Sequence, residues 1–180
     1  LFPPAAMADL AALNLPYQVL NDNVQKAIDA ERASLERWRD VGPRDPAWFA
    51  DFKNYDQILA KLNQMQADRP DLCTVFSIGD SFEGRPTWAI RITAPGSEKP
   101  MVLFDATHHA REWISTMTVM WIADRLVYEY DTNPTIRDIL DTVEVVVIPV
   151  INPDGYVYTW TTERYWRKNR QTPPPGSYCY

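Results

Sequence analysis

Histidine is scarce in this chain: two in 180 residues, side by side at His108 and His109. A catalytic zinc site takes three protein ligands plus water, so histidines alone cannot complete one here. Cysteine is equally sparse. Cys73 and Cys179 form neither a zinc nor a redox pattern. Cys73, beside the apolar run VFSI, reads as a small buried hydrophobe; Cys179, in GSYCY, reads as a lone thiol or as half of a pair whose partner is not in the sequence. No apolar run approaches the roughly 20 residues of a membrane helix. Basic residues are outnumbered, 18 Lys and Arg against 24 Asp and Glu, for a net charge of −6. That balance gives no general attraction to nucleic acid or to anionic lipid, so neither is an expected partner. The opening LFPPAAMADL has no basic stretch ahead of a long apolar one, hence no visible signal peptide. It starts with Leu, not Met, so a leader removed or left out is expected. There is no internal repeat.

What is present argues for a folded globule: 46% hydrophobic residues and seven tryptophans. The pattern changes near residue 42. Before it, LPYQVL (15–20) predicts a short strand. NDNVQKAIDAERASLERW (21–38) predicts a long helix, capped by Asn21 or Asp22, with Val24, Ile28, Leu35 and Trp38 on one side. Gly42, Pro43 and Pro46 end it. The linker is an ordinary connector or, given Arg37, Arg39 and Arg44 around the breaker, a cleavable one.

Beyond the linker, helices and strands alternate. NYDQILAKLNQMQAD (54–68) predicts a helix capped by Asn54, with Ile58, Leu62 and Met65 inward. CTVFSIG (73–79) and TWAIRIT (87–93) predict strands joined by a turn at EGRP. PMVLFDA (100–106) predicts a strand buried on both faces. STMTVMWIADRLVYEY (115–130) predicts a helix starting at a Ser115 cap, and TIRDIL (135–140) a shorter one. VEVVVIPVI (143–151) predicts a central strand, and NPDG (152–155) a turn.

The stretch DATHHAREWIS (105–115) follows the third of these strands and precedes a helix. Strand ends of that kind are where open α/β sheets carry chemistry. Glu112 stands three residues after His109 and four after His108. Either pair can share an ion, the first at a loop-to-helix bend, the second in a regular helix. Alone, such a pair is commonly a coincidence on a solvated helix start. ERYWRKNR (163–170) groups Arg164, Arg167, Lys168 and Arg170 around Tyr165 and Trp166. It reads as a solvated face, as a nucleic-acid patch that the acidic balance disfavours, or as guanidinium donors for a carboxylate or oxyanion.

THHAREWIS, INPDGYVYTW and RYWRKNR together resemble the zinc carboxypeptidases of the carboxypeptidase A/B type, in order and at plausible spacing. SIGDSFEGRPTWAIRI and NYDQILAKLNQMQADRP resemble earlier segments of that catalytic domain. LPYQVLNDNVQKAIDAERASLER is similar to the end of the family's activation propeptide. The resemblance implies a three-layer α/β/α fold with a mixed, mostly parallel sheet, incomplete here, preceded by the end of a small α+β propeptide. It implies that residues 1–44 are the propeptide's C-terminal part with its linker, and 45–180 the N-terminal part of a catalytic domain. It makes His109 and Glu112 zinc ligands, leaves His108 without a ligand role, and places Arg111 and Arg164 in the substrate groove. Arg167 would polarise the scissile carbonyl and stabilise its oxyanion. The family's third ligand, its general base and the residues that grip the substrate carboxylate would fall beyond Tyr180. Cys179 matches a cysteine whose disulfide partner would also lie there, which suits a secreted protein. The expectation is a central fragment of a monomeric, zinc-dependent metallocarboxypeptidase precursor. Its substrates would be peptide or protein C-termini and its intramolecular partner its own propeptide. The alternative is a catalytically inactive, zinc-holding binding protein on the same fold.

Overall fold

In the computed structural model the chain divides into two compact units, Leu1–Gly42 and Pro43–Tyr180. The structure describes residues 45–172 apart from Ser97, together with Ala12, Leu13, Gln18 and Lys26. Apart from Gln18 and Lys26, the strand and helix expected over 15–38 lie outside the described residues, as do the linker arginines and Cys179.

A 3-10 turn, Trp48–Ala50, leads into α1, Tyr55–Asp68. Asn54 accepts from the Gln57 N–H at 3.0 Å while the Gln57 side chain accepts from the Asn54 N–H at 2.9 Å. This reciprocal box satisfies two backbone donors that a helix start otherwise leaves open. Ile58, Leu62 and Met65 recur at helical spacing and are all buried, which contributes about 1.5–3 kcal/mol apiece relative to exposure. Lys61 is buried on the same helix, 3.4 Å from the buried Asp124 carboxylate, a pairing that hydropathy alone does not reveal.

Strands β1 (Cys73–Asp80) and β2 (Pro86–Ile92) form an antiparallel hairpin closed by the EGRP turn. Then come β3 (Met101–Asp105), α2 (Trp113–Tyr128), α3 (Pro134–Thr142), β4 (Glu144–Ile148) and α4 (Pro153–Thr161). The sheet order is β1-β2-β4-β3, with β2 and β4 antiparallel and β3 and β4 parallel. The α/β class and the mixed sheet are as expected. Among these four strands, however, one pairing of three is parallel. The reason is local: a short turn can join only antiparallel neighbours, whereas a helical crossover returns β4 beside β3 in parallel.

Helices line one face of the sheet, where Ile90, Ile92, Val145 and Val147 meet Leu62 and Met65 of α1, Met120 and Val127 of α2 and Leu140 of α3. Of the expected two helical layers, the described residues supply this one. On the other face lie Ala89, Val146 and Ile148, with Phe76 and Leu103 exposed beside their paired partners Ala89 and Val146.

Three local expectations are corrected. β3 is exposed along its whole length, not buried on both faces, because it is an edge strand among the described residues. α2 begins at Trp113, not at a Ser115 cap; Ser115 Oγ instead donates to the Glu112 carbonyl at 2.7 Å. The segment 152–155 opens α4: Asn152 accepts from the Gly155 N–H at 3.1 Å and Pro153 occupies the first turn. A proline loses nothing there, since that N–H has no helical partner. Cys73 is buried as expected, and burial pushes its thiol pKa up to about 12, leaving it inert.

Candidate metal centre

Residues 106–112 form the bend between the C-terminal end of β3 and the start of α2. Ala106 is held across the sheet by its N–H to Ile148 O at 3.0 Å, and its carbonyl accepts from Ile151 N at 3.0 Å. Thr107 then takes a left-handed backbone, φ 63°. The chain turns so that His109 Nδ1 lies 2.9 Å from Glu112 Oε1. Their side chains remain 40% and 49% exposed, within reach of an ion from solvent. His108 turns the other way and pairs through Nε2 with Asp105 Oδ2. Of the two spacings open in the sequence, the structure brings together His109 and Glu112, and it does so at a bend, before the helix begins.

An imidazole nitrogen converging with a carboxylate oxygen is a donor set that suits zinc. It is also part of a set: no group of three or more His, Cys, Asp or Glu that could hold a metal occurs among the described residues.

The basic segment is tied to this bend through the backbone. Ala110 N donates to Arg167 O at 3.0 Å, and Arg164 Nη1 donates to Arg111 O at 3.0 Å. Arg164 lies over the Trp113 ring, 3.6 Å from its centroid. Trp113 is itself stacked on Trp160 at 3.9 Å and donates from Nε1 to Thr159 Oγ1 at 2.8 Å. Arg170 lies over Tyr158 at 3.8 Å and Trp166 at 4.7 Å. Two of the four basic residues thus lie on aromatic rings, while Arg164, Arg167 and Lys168 all stay exposed to solvent. The Arg111 and Arg167 side chains are exposed, and that of Arg167 makes no hydrogen bond or ion pair among the described residues.

Two residues that matter here escaped the sequence reading because NPDG looks like a turn. Asn152 Nδ2 donates to His108 O at 3.2 Å and to Lys168 O at 3.1 Å, joining the histidine bend to the basic segment. Asp154 is buried and accepts from Ser81 Oγ at 2.7 Å, Glu83 N at 2.9 Å and Arg85 Nη1 at 2.8 Å. Burial alone would raise its pKa, but these donors outweigh it and hold the carboxyl below its ordinary value. The signal for a helix start was present: Asn followed by Pro is an N-cap with proline at the first position.

The fold is an α/β domain with a mixed sheet, and it carries a His-Glu pair at a strand end. The chain belongs to the zinc carboxypeptidases, whose family model matches residues 58–180, more than half of its length. It is 34% identical over 172 residues to carboxypeptidase A2 of Mus musculus, covering 94% of this chain and 40% of the relative. It is 37% identical over 175 residues to carboxypeptidase B of Bos taurus, covering 97% of this chain and 40% of the relative. Among solved structures, thrombin-activatable fibrinolysis inhibitor aligns with a TM-score of 0.71 at 28% identity, covering 97% of this chain and 43% of that one. The chain therefore spans about 40% of the length of the curated relatives it matches. Zinc is the cofactor that membership brings. No helix among the described residues is long and apolar enough to cross a membrane.

Proposed function

We propose that this chain is part of a secreted zinc metallocarboxypeptidase precursor that removes C-terminal residues from peptides. The observation that carries this reading is the approach of His109 Nδ1 to Glu112 Oε1, 2.9 Å at a strand end, in a member of a zinc family. His109 and Glu112 would hold the metal. Zinc would supply a Lewis acid and activate water for attack on a peptide carbonyl. The Arg167 guanidinium, unengaged by the described residues, would donate to the oxygen on which charge develops. Arg164, fixed between the Trp113 ring and Arg111 O, and Arg111 itself would line the groove and attract an anionic peptide end.

Residues 1–44 are proposed as the end of the activation propeptide and 45–180 as the first part of the catalytic domain, in a monomer. Trypsin is then expected to cut first among Arg37, Arg39 and Arg44, with activity rising as the cut appears. The main test uses the longest natural chain that contains these residues. Zinc content and hydrolysis of a blocked dipeptide are measured before and after chelation. One zinc per chain, with turnover lost on chelation and restored by zinc, supports the reading. Zinc retained without turnover would favour the non-catalytic binding protein, and absence of both would overturn the proposal.

A further inference from the structure

Thr107 stands in a backbone conformation that a β-branched residue rarely adopts, φ 63°, while buried to 2% exposure. Such outliers persist only where the surroundings over-determine them, and they cluster at functional sites. The surroundings here are specific. The Thr107 hydroxyl donates to Pro149 O at 3.0 Å, just past the end of β4, and pairs with the Thr116 hydroxyl of α2. The Thr107 N–H donates to Ser115 Oγ at 3.2 Å, and Ser115 Oγ in turn donates to Glu112 O at 2.7 Å. One unbroken line of hydrogen bonds therefore runs from Thr107 to the backbone of Glu112. Two residues further along the chain from Thr107 is His109.

Resting on the zinc-site reading above, we infer that Thr107 is a positioning residue of that site. Its hydroxyl locks the left-handed turn by which the chain leaves β3, while its N–H, which every substitution below keeps, only anchors the line through Ser115. That turn sets the direction of the 108–112 bend, and the line through Ser115 sets where the bend meets α2. His109 and Glu112 are thereby held in register with each other before any metal arrives. A group that presents ligands already in place lowers the rate at which a bound ion escapes, because one ligand cannot swing away independently of the other. Thr107 itself contacts neither metal nor substrate.

The test compares Thr107→Val, Thr107→Ser and Thr107→Gly in the longest natural chain that contains these residues. Zinc is loaded and its transfer to an excess of chelator is followed, with thermal unfolding measured alongside. Valine keeps the shape and loses the hydroxyl, serine keeps the hydroxyl, and glycine accepts φ 63° freely but loses the hydroxyl. Thr107→Val and Thr107→Gly are expected to release zinc on the order of tenfold faster, with Thr107→Ser within about twofold of the parent. Thr107→Gly remains informative if the valine variant fails to fold, because glycine removes the backbone strain. A parent-like zinc release rate in Thr107→Gly, whatever its unfolding temperature, overturns this inference and leaves the zinc site standing. A parent that retains no zinc overturns both.

Discussion

Two adjacent histidines divide between different carboxylates, His109 with Glu112 and His108 with Asp105. In the longest natural chain, His109→Ala is expected to abolish zinc retention and His108→Ala to leave most of it, as read by metal analysis of both purified variants. Equal loss in the two would end the assignment. Arg167→Ala is expected to keep zinc but lower kcat by about 10²–10³, the usual effect of removing an oxyanion donor; a change confined to KM would make Arg167 a substrate clamp. Asp154 adds a dependence on pH. Its folded pKa lies below the ordinary carboxyl value, so its contribution to stability is complete above about pH 4. It is lost as pH falls further, through the folded pKa, because protonation removes the acceptor for Ser81, Glu83 N and Arg85. Urea midpoints between pH 6 and pH 2.5 should therefore fall less steeply at the acid end in Asp154→Asn than in the parent.

Of helices α1 to α4, three (α1, α3 and α4) are clamped at their starts by an asparagine cap, while α2 has no side-chain cap. α1 has its reciprocal Asn54–Gln57 box, legible directly as an Asn three residues before Gln. α4 has Asn152, whose one amide caps the helix and also reaches His108 O and Lys168 O. The close approach this needs is visible at Gly155, where an added Cβ would sit 2.6 Å from Lys168 O. That oxygen belongs to backbone, so it cannot rotate aside. Gly155→Ala is expected to destabilise the domain by about 1–3 kcal/mol. The same change should loosen the basic segment, detectable as faster hydrogen exchange at Ala110 N, whose acceptor is Arg167 O. Unchanged exchange there would mean that the 164–170 segment is held by its aromatic stacking alone.

At the scale of the whole molecule, β3 is an edge strand among the described residues, with Met101, Leu103 and Phe104 exposed at 63%, 54% and 36%, and Phe76 and Ile78 add apolar surface at 36% and 48%. An apolar edge with open backbone groups invites pairing with another chain. Residues 1–180 expressed alone are expected to self-associate at micromolar concentration, with the sedimentation coefficient rising with concentration. Leu103→Lys should reduce it; a strictly monomeric parent would contradict the argument.

Helix α1, the β1–β2 hairpin, the Val-rich β4 and the His-x-x-Glu spacing were all legible in the amino-acid order. Each depends on neighbours within a few residues: a cap, a turn or a period of two or 3.6. Burial of β3 was misread because an apolar run says nothing about whether another element covers it. The helix at Pro153 was misread because Asn-Pro-Asp-Gly satisfies turn and helix-start chemistry alike, and long-range partners choose between them: Asp154 with Ser81 and Arg85, Asn152 with His108 and Lys168. Spacing alone left open which histidine meets Glu112, and only the family resemblance pointed to His109. That choice follows from the left-handed turn at Thr107, held by Pro149 of one strand end and Thr116 of a helix. Such contacts join residues 9 and 42 positions apart, and no local pattern encodes them.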